Sequence, residues 1–297
     1  MNRLASADGT NTGAFGPLEW GLICVVSLIW GSSFLWIKIG LDVLHPGALA
    51  FVRIALGALA VGLLPESRKV VPRSVYPTIG IVALCGTIAP ALLFAFAEQR
   101  IESSVAGMIN SIGPLLTLGL SVALLGKAPA RVQIAGLALG FVGAVLLGIP
   151  NVTGADAEPL GVGLVVLAVV CYSISSNVLP PVVQECGAMP VMARALLLGA
   201  VVTMPYGVYG IAQSSFSWPA AGAIAVLGVF GAGVARVLFA DLLGRAGAPR
   251  ASLVGYLVPL VAVVLGIVVR NESVTVLELL GLGCILVAAH FVGRGRS

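Results

Sequence analysis

Ten times along this chain, about twenty residues pass with scarcely a charge, and that recurrence constrains the fold more than any other feature. A helix rising 1.5 Å per residue needs about 20 residues to cross the hydrocarbon of a bilayer. The apolar runs fall near residues 17–39, 46–65, 75–97, 103–125, 129–149, 159–180, 190–211, 218–242, 248–269 and 275–293, with short polar punctuation between them. Closed barrels are the other way to span lipid, but they need short strands of alternating polarity, which these runs lack. The expected fold class is an all-α integral membrane protein with ten transmembrane helices and the lipid bilayer as its solvent. Composition agrees: 59% of the 297 residues are hydrophobic and 9% charged, whereas a soluble domain carries about a quarter charged. The 38 glycines and 17 prolines would break soluble helices but are tolerated in membranes, where neighbours satisfy the freed backbone groups.

The formal charge of +4 comes without a basic cluster, the longest run being Arg68-Lys69 with Arg73 nearby, so no nucleic-acid partner is expected. Cys24, Cys85, Cys171, Cys186 and Cys284 form no CxxC or Cys/His spacing, so neither disulfides nor a metal site is expected, and no cofactor. Residues 1–16 are polar and read as a disordered tail, lacking the basic start and apolar core of a removable signal. Lys and Arg stay preferentially in cytoplasmic loops. Arg3, Arg68, Lys69, Arg73, Lys127, Arg131, Arg245, Arg250, Arg294 and Arg296 fall on the side of the termini, against Lys38, Arg100 and Arg270 on the other. Both termini are therefore expected in the cytoplasm.

Sliding the chain against itself by 145 residues matches Gly86 with Gly231, Leu93-Phe94-Ala95 with Leu238-Phe239-Ala240, Pro114-Leu115 with Pro259-Leu260, and Gly148 with Gly293. Upstream the offset drifts, pairing Pro17-Leu18 with Pro159-Leu160 and Arg53 with Arg194. The expected organisation is the tail at 1–16, one five-helix repeat over 17–149, a linker at 150–158, and a second repeat over 159–293. Five is odd, so the second repeat enters the membrane from the opposite side. Inverted repeats of this kind belong to transporters with a midplane site between halves, which exchange conformations to give alternating access.

Trp30-Gly31-Ser32-Ser33-Phe34 in the first span, Arg53 in the second and Pro114 in the fourth form a recognisable pattern. So does Gly126 before a Gly-rich fifth span, echoed by Asn271-Glu272 before the tenth. Together these resemble the drug/metabolite transporter superfamily, the EamA-type ten-helix exporters, over residues 17–293. The family's usual acidic residue after the first Gly is Lys127 here, while Glu272 keeps it in the second half. Within the superfamily the chain is most similar to bacterial exporters of aromatic and other amino acids, the YddG type. The resemblance implies an inner-membrane exporter of a small-molecule substrate, with a central cavity between helices of both halves, and assigns Arg53 a structural role.

The fourth span carries Ser103, Gly107, Asn110, Pro114, Thr117 and Ser121 on one helical face, a stripe that permits close helix approach or lines a cavity. Candidate substrate-binding residues are Trp30, Ser33, Phe94, Asn110, Tyr172, Ser176, Arg236, Phe239 and Tyr256. Packing is the competing role for each, and for Arg236 a structural pair. Phe94 and Phe239 occupy repeat-related positions and could flank a solute from two sides, while Arg236 is the deepest ionisable group and suits a carboxylate. Gly86, Pro90, Pro114, Gly231 and Pro259 are candidate hinges, since proline weakens the local helix ladder. Glu98, Arg100 and Glu102 are expected to be solvated at the rim, leaving Asp241, Glu278 and Glu19 as the few acids for ion coupling, with a facilitator running down the solute gradient as the alternative. No nucleophile–base pair or phosphate loop appears, so no enzyme is expected. A multidrug or quaternary-ammonium exporter remains the alternative, and it would want a cavity-facing carboxylate. Gly136 and Gly140 have the GxxxG spacing of helix dimers, although internal packing suits them equally and a monomer is expected.

Overall fold

The computed structural model describes residues 13–125, 130–152, 158–261 and 275–294. Lys127, Asn271 and Glu272, most of the expected linker and the side chain of Glu278 lie outside the described residues. Among the described residues ten apolar helical segments follow one another, seven of them long enough to cross a bilayer. They are α1 (Pro17–Leu41), α2 (Pro46–Gly62), α3 (Arg73–Ala97), α4 (Ser103–Asn110 and Gly113–Leu125), α5 (Arg131–Val152), α6 (Pro159–Cys186), α7 (Ala188–Ala212), α8 (Trp218–Ala246), α9 (Ala248–Val261) and α10 (Val276–Gly293). Pro17, Pro46 and Pro159 open their helices, where the fixed φ is helical and the missing N–H costs nothing. His45 caps α2, its Nδ1 accepting from the Gly47 amide at 3.1 Å. Gly187 and Gly247, at φ 83° and 76°, make the tight turns into α7 and α9, a left-handed conformation that costs glycine nothing. α6 runs past the expected end near 180 to Cys186, carrying Pro180 and Pro181 inside it.

Four segments are interrupted. α3 widens into π-helical turns over Leu84–Ile88 and α8 does so over Leu227–Val234. Gly86 and Gly231 sit inside these segments, and Pro90 starts the α-helical turn that follows the first. α4 breaks at Ser111-Ile112, where the backbone switches to three-residue hydrogen bonds such as Ser111 N to Met108 O at 3.1 Å. Pro114 follows at the start of the second piece. α9 breaks at Ser252-Leu253, with Gly255 N reaching Ser252 O at 2.8 Å, six residues ahead of Pro259. The 145-residue correspondence would put the second break at Tyr256-Leu257, about one helical turn further on.

The two five-helix halves interlock. α1 packs on α8, α3 on α6, α2 on α7, and α5 on α10. Glycine permits the closest crossings: a Cβ at Gly143 would lie 2.8 Å from the Gly281 carbonyl, and one at Gly281 would lie 2.7 Å from the Gly143 carbonyl. Gly136 and Gly140 likewise face Val292, Ala288 and Tyr256 of the same chain, so their GxxxG face is spent internally. The outward faces are apolar, including Leu18, Val25, Leu28 and Leu35 on α1 and Leu197, Val201, Met204 and Val208 on α7. Such surfaces suit lipid tails and would be costly in water. The two ends of the bundle meet on one face, where the Phe15 amide donates to the Gly293 carbonyl at 2.9 Å. Arg250 fastens them, donating to Gly13 O at 2.9 Å and Gly293 O at 3.1 Å with its guanidinium 4.1 Å from the Phe15 ring centre.

Candidate substrate cavity between the halves

A cavity of about 150 Å³ opens where α1, α2, α3, α4, α6, α7, α8 and α9 converge. At roughly 10–15 Å³ per enclosed water, it accepts a solute of about ten heavy atoms. Trp30, Ser33, Phe94, Asn110, Tyr172, Ser176, Arg236 and Phe239 all line it, as do Gly86 and Pro114. Tyr256 does not. Its side chain is fully buried, packs onto Gly140 of α5, and donates its hydroxyl to the Leu137 carbonyl at 2.7 Å. Expecting Tyr256 in the cavity was wrong because the break in α9 turns the residue outward from the cavity, leaving Gly255 and Val258 to face it.

The aromatic walls come in two cross-half pairs. Trp30 of α1 lies edge-on to Phe239 of α8 with ring centres 4.9 Å apart, and Tyr172 of α6 stacks on Phe94 of α3 at 6.1 Å. Trp30 and Tyr172 are 142 residues apart, the offset that relates Pro17 to Pro159, and Phe94 and Phe239 are 145 apart. Each pair is therefore the counterpart of the other. The Trp30 indole also donates to the Gly231 carbonyl at 3.1 Å, which ties α1 to the widened turns of α8; π-helical turns of this kind recur at functional sites. A polar strip lies between the pairs. Thr117 of α4 donates to Ser173 of α6 at 3.1 Å, and Asn177 donates to the Thr117 and Ser173 carbonyls.

Two guanidinium groups reach the cavity. Arg236 makes one long hydrogen bond, to the Tyr172 hydroxyl at 3.3 Å, and lies 5.4 Å from that ring. Arg53 is buried, and its Nε has no hydrogen-bond partner among the described residues. Its repeat counterpart Arg194 does a different job, holding the α2–α3 loop through the Ser67 and Lys69 carbonyls at 3.1 and 2.8 Å. Asp241 faces away in an ion pair with Arg245 at 2.8 Å. Glu19 accepts from the Gly16 amide at the start of α1.

Glu98 overturns the expectation of a solvated rim. It sits one residue beyond the α3 segment and is only 1% exposed, although Glu102 beside it is exposed. The chain folds back so that Ser103 Oγ donates to Glu98 Oε2 at 2.7 Å, while Oε1 has no hydrogen-bond partner among the described residues. Burial pushes its carboxyl up to about 8, opposed by the Ser103 hydrogen bond and by the charges of Arg53 and Lys38. Among the described residues, no cluster of His, Cys, Asp and Glu could hold a metal.

The sequence pattern of the EamA-like transporter family matches residues 19–149 and again residues 159–294. The chain belongs to that family. Several curated transporters resemble it nearly end to end. The inner membrane transporter YedA of Escherichia coli K12, itself uncharacterized, is 28% identical over 93% of this chain and 91% of its own length. A probable terminal-alkyne amino-acid exporter of Streptantibioticus cattleyicolor is 26% identical over 94% and 95%. A solved crystal structure superimposes with a TM-score of 0.72 at 19% identity, covering 92% of this chain and 95% of the other, and so shares the fold. As an EamA-like protein, the chain is a multi-pass membrane transporter of small molecules.

Proposed function

We propose that this transporter exports amino acids or similarly sized amphipathic metabolites by alternating access, with residues 17–149 and 159–293 as the two exchanging halves. The observation that carries the reading is the cavity itself, where two counterpart aromatic pairs and the Arg236 guanidinium surround space for about ten heavy atoms, the scale of an amino acid. Trp30, Phe94, Tyr172 and Phe239 would hold the apolar part of the solute, Arg236 its carboxylate, and Ser33, Asn110 and Ser176 its remaining polar atoms. The π-helical glycines Gly86 and Gly231 and the prolines Pro90, Pro114 and Pro259 would absorb the bending between states. The name of the Streptantibioticus relative, a probable terminal-alkyne amino-acid exporter, points the same way. The naming of YedA as an inner membrane transporter supports a bacterial inner membrane, and the basic loops on the side of the termini support a cytoplasmic placement for both ends. The internal use of Gly136 and Gly140 favours a monomer.

Proteoliposomes preloaded with labelled L-phenylalanine should lose label faster than protein-free vesicles, and Phe94→Ala and Phe239→Ala should each slow that loss. No acceleration across a panel of amino acids would sink the substrate reading. A cation exporter is disfavoured by the cavity's charge, since the ionisable groups with full charge on its wall are the cations Arg53 and Arg236.

A further inference from the structure

Arg53 and Glu98 are both more than nine-tenths buried, each carries a polar atom without a partner, and each feels the other's charge. Yet they form no ion pair; among the described residues the ion pairs are Arg100 with Glu158 and Arg245 with Asp241. Arg53 also feels the second cavity cation, Arg236. A buried guanidinium lacking a contact counter-ion is suited to an arriving anion. A buried carboxylate held by one hydroxyl is suited to a proton.

We propose that Glu98 is a proton-binding site whose occupancy is linked to the substrate carboxylate, which Arg236 binds together with Arg53. This rests on the exporter reading above and adds a coupling ion to it. Ionised Glu98, four residues beyond Phe94 of the cavity wall, partly balances Arg53. When a solute carboxylate reaches Arg53, two negative charges share one guanidinium, and the carboxylate of Glu98 takes a proton from the medium to become the neutral acid. By linkage the relation is reciprocal: a protonated Glu98 strengthens carboxylate binding, and an ionised one weakens it. The groups that set this balance are Lys38 of α1, Arg53 of α2 and Ser103 of α4, while Arg100, two residues on, is paired with Glu158 at the start of α6. Tyr172 of α6 and Arg236 of α8 act on it through Arg53, and Tyr206 of α7 stacks on Phe96, two residues from Glu98. A carboxyl brought to about 8 by burial places the exchange near neutral pH.

Two measurements test this on the full chain. Infrared titration of the empty transporter between about pH 6 and 9 should reveal a protonated-carboxyl band that fades as pH rises. That band should vanish in Glu98→Gln and titrate at higher pH in Ser103→Ala, which loses the hydrogen bond favouring the ionised form. Calorimetry with L-phenylalanine at about pH 8, in buffers of different ionisation enthalpy, should then detect proton uptake that shrinks at about pH 6, where Glu98 already holds its proton. Phenethylamine, which lacks the carboxylate, should cause none, and Glu98→Gln should bind phenylalanine without uptake. A titration lacking any band sensitive to Glu98, or phenylalanine binding without uptake in the unmodified protein, would overturn the proposal. If phenylalanine fails to bind, the substrate reading fails for that solute, and the infrared titration decides on Glu98 alone.

Discussion

Removing the Tyr256 hydroxyl deletes a buried donor to the Leu137 carbonyl without touching the cavity. Such a bond is worth about 0.5–1.5 kcal/mol net, so Tyr256→Phe should lower the melting temperature in detergent while leaving solute flux unchanged. Arg236→Gln should do the reverse. Its one hydrogen bond is long, at 3.3 Å, so the fold loses little, whereas the half-saturation concentration for a carboxylated solute should rise about tenfold or more with loss of a charged contact. Asp241→Asn breaks only an exposed pair with Arg245, of a kind worth about 0–1 kcal/mol, and flux measured beside the parent protein should be unaffected. At this scale the sequence was a mixed guide. Residue type and depth singled out Trp30, Tyr172 and Arg236 as cavity residues because large or charged side chains in a bilayer have few places to go. Tyr256 misled because its direction depends on a helix break that no residue type announces. Glu98 was misread as solvated because it follows the end of an apolar run, although it stands in helical step with Gly86, Pro90 and Phe94, all on the buried side. Register was the signal, and proximity to the span end obscured it.

The helices themselves were legible, since ten apolar runs become ten helical segments whose ends fall at Pro, Gly and capping residues. Their interruptions were not. A π-helical turn arises where the ladder slips by one residue to satisfy packing against other helices, and single-chain periodicity averages over such a slip. The two widened segments are nonetheless unequal. A Cβ at Gly86 would come within 2.5 Å of Ser175 Oγ and 3.2 Å of its Cβ, whereas one at Gly231 would meet nothing closer than Ser33 Oγ at 3.5 Å. Gly86→Ala should therefore lower the melting temperature more than Gly231→Ala does, despite their repeat-related positions. Ser175→Ala in the Gly86→Ala background should recover part of the loss, and thermal denaturation of the parent, Gly86→Ala, Ser175→Ala and the double variant forms the double-mutant cycle that checks it.

For the molecule as a whole, the two halves are held by the α5–α10 crossing on one flank and by the joined ends on another. Gly281→Leu would force a side chain into the Gly143 carbonyl, and it should separate α5 from α10 enough to abolish a folded monodisperse peak on size-exclusion chromatography. Deleting residues 2–15 removes Phe15 and the Gly13 carbonyl from beneath Arg250, so the shortened chain should melt earlier than the full one. The correspondence of the halves could be read from matched Pro, Gly and Phe positions, yet their departure from it could not. α4 and α9 kink about one turn out of step. Two identical halves in opposite orientations would make the conformers open to either compartment equal in free energy. The staggered kinks lift that degeneracy. A carrier working by the alternating access proposed above would therefore rest with one vestibule open more often than the other, and its apparent affinity would differ between the two sides of the membrane even when both face the same solution.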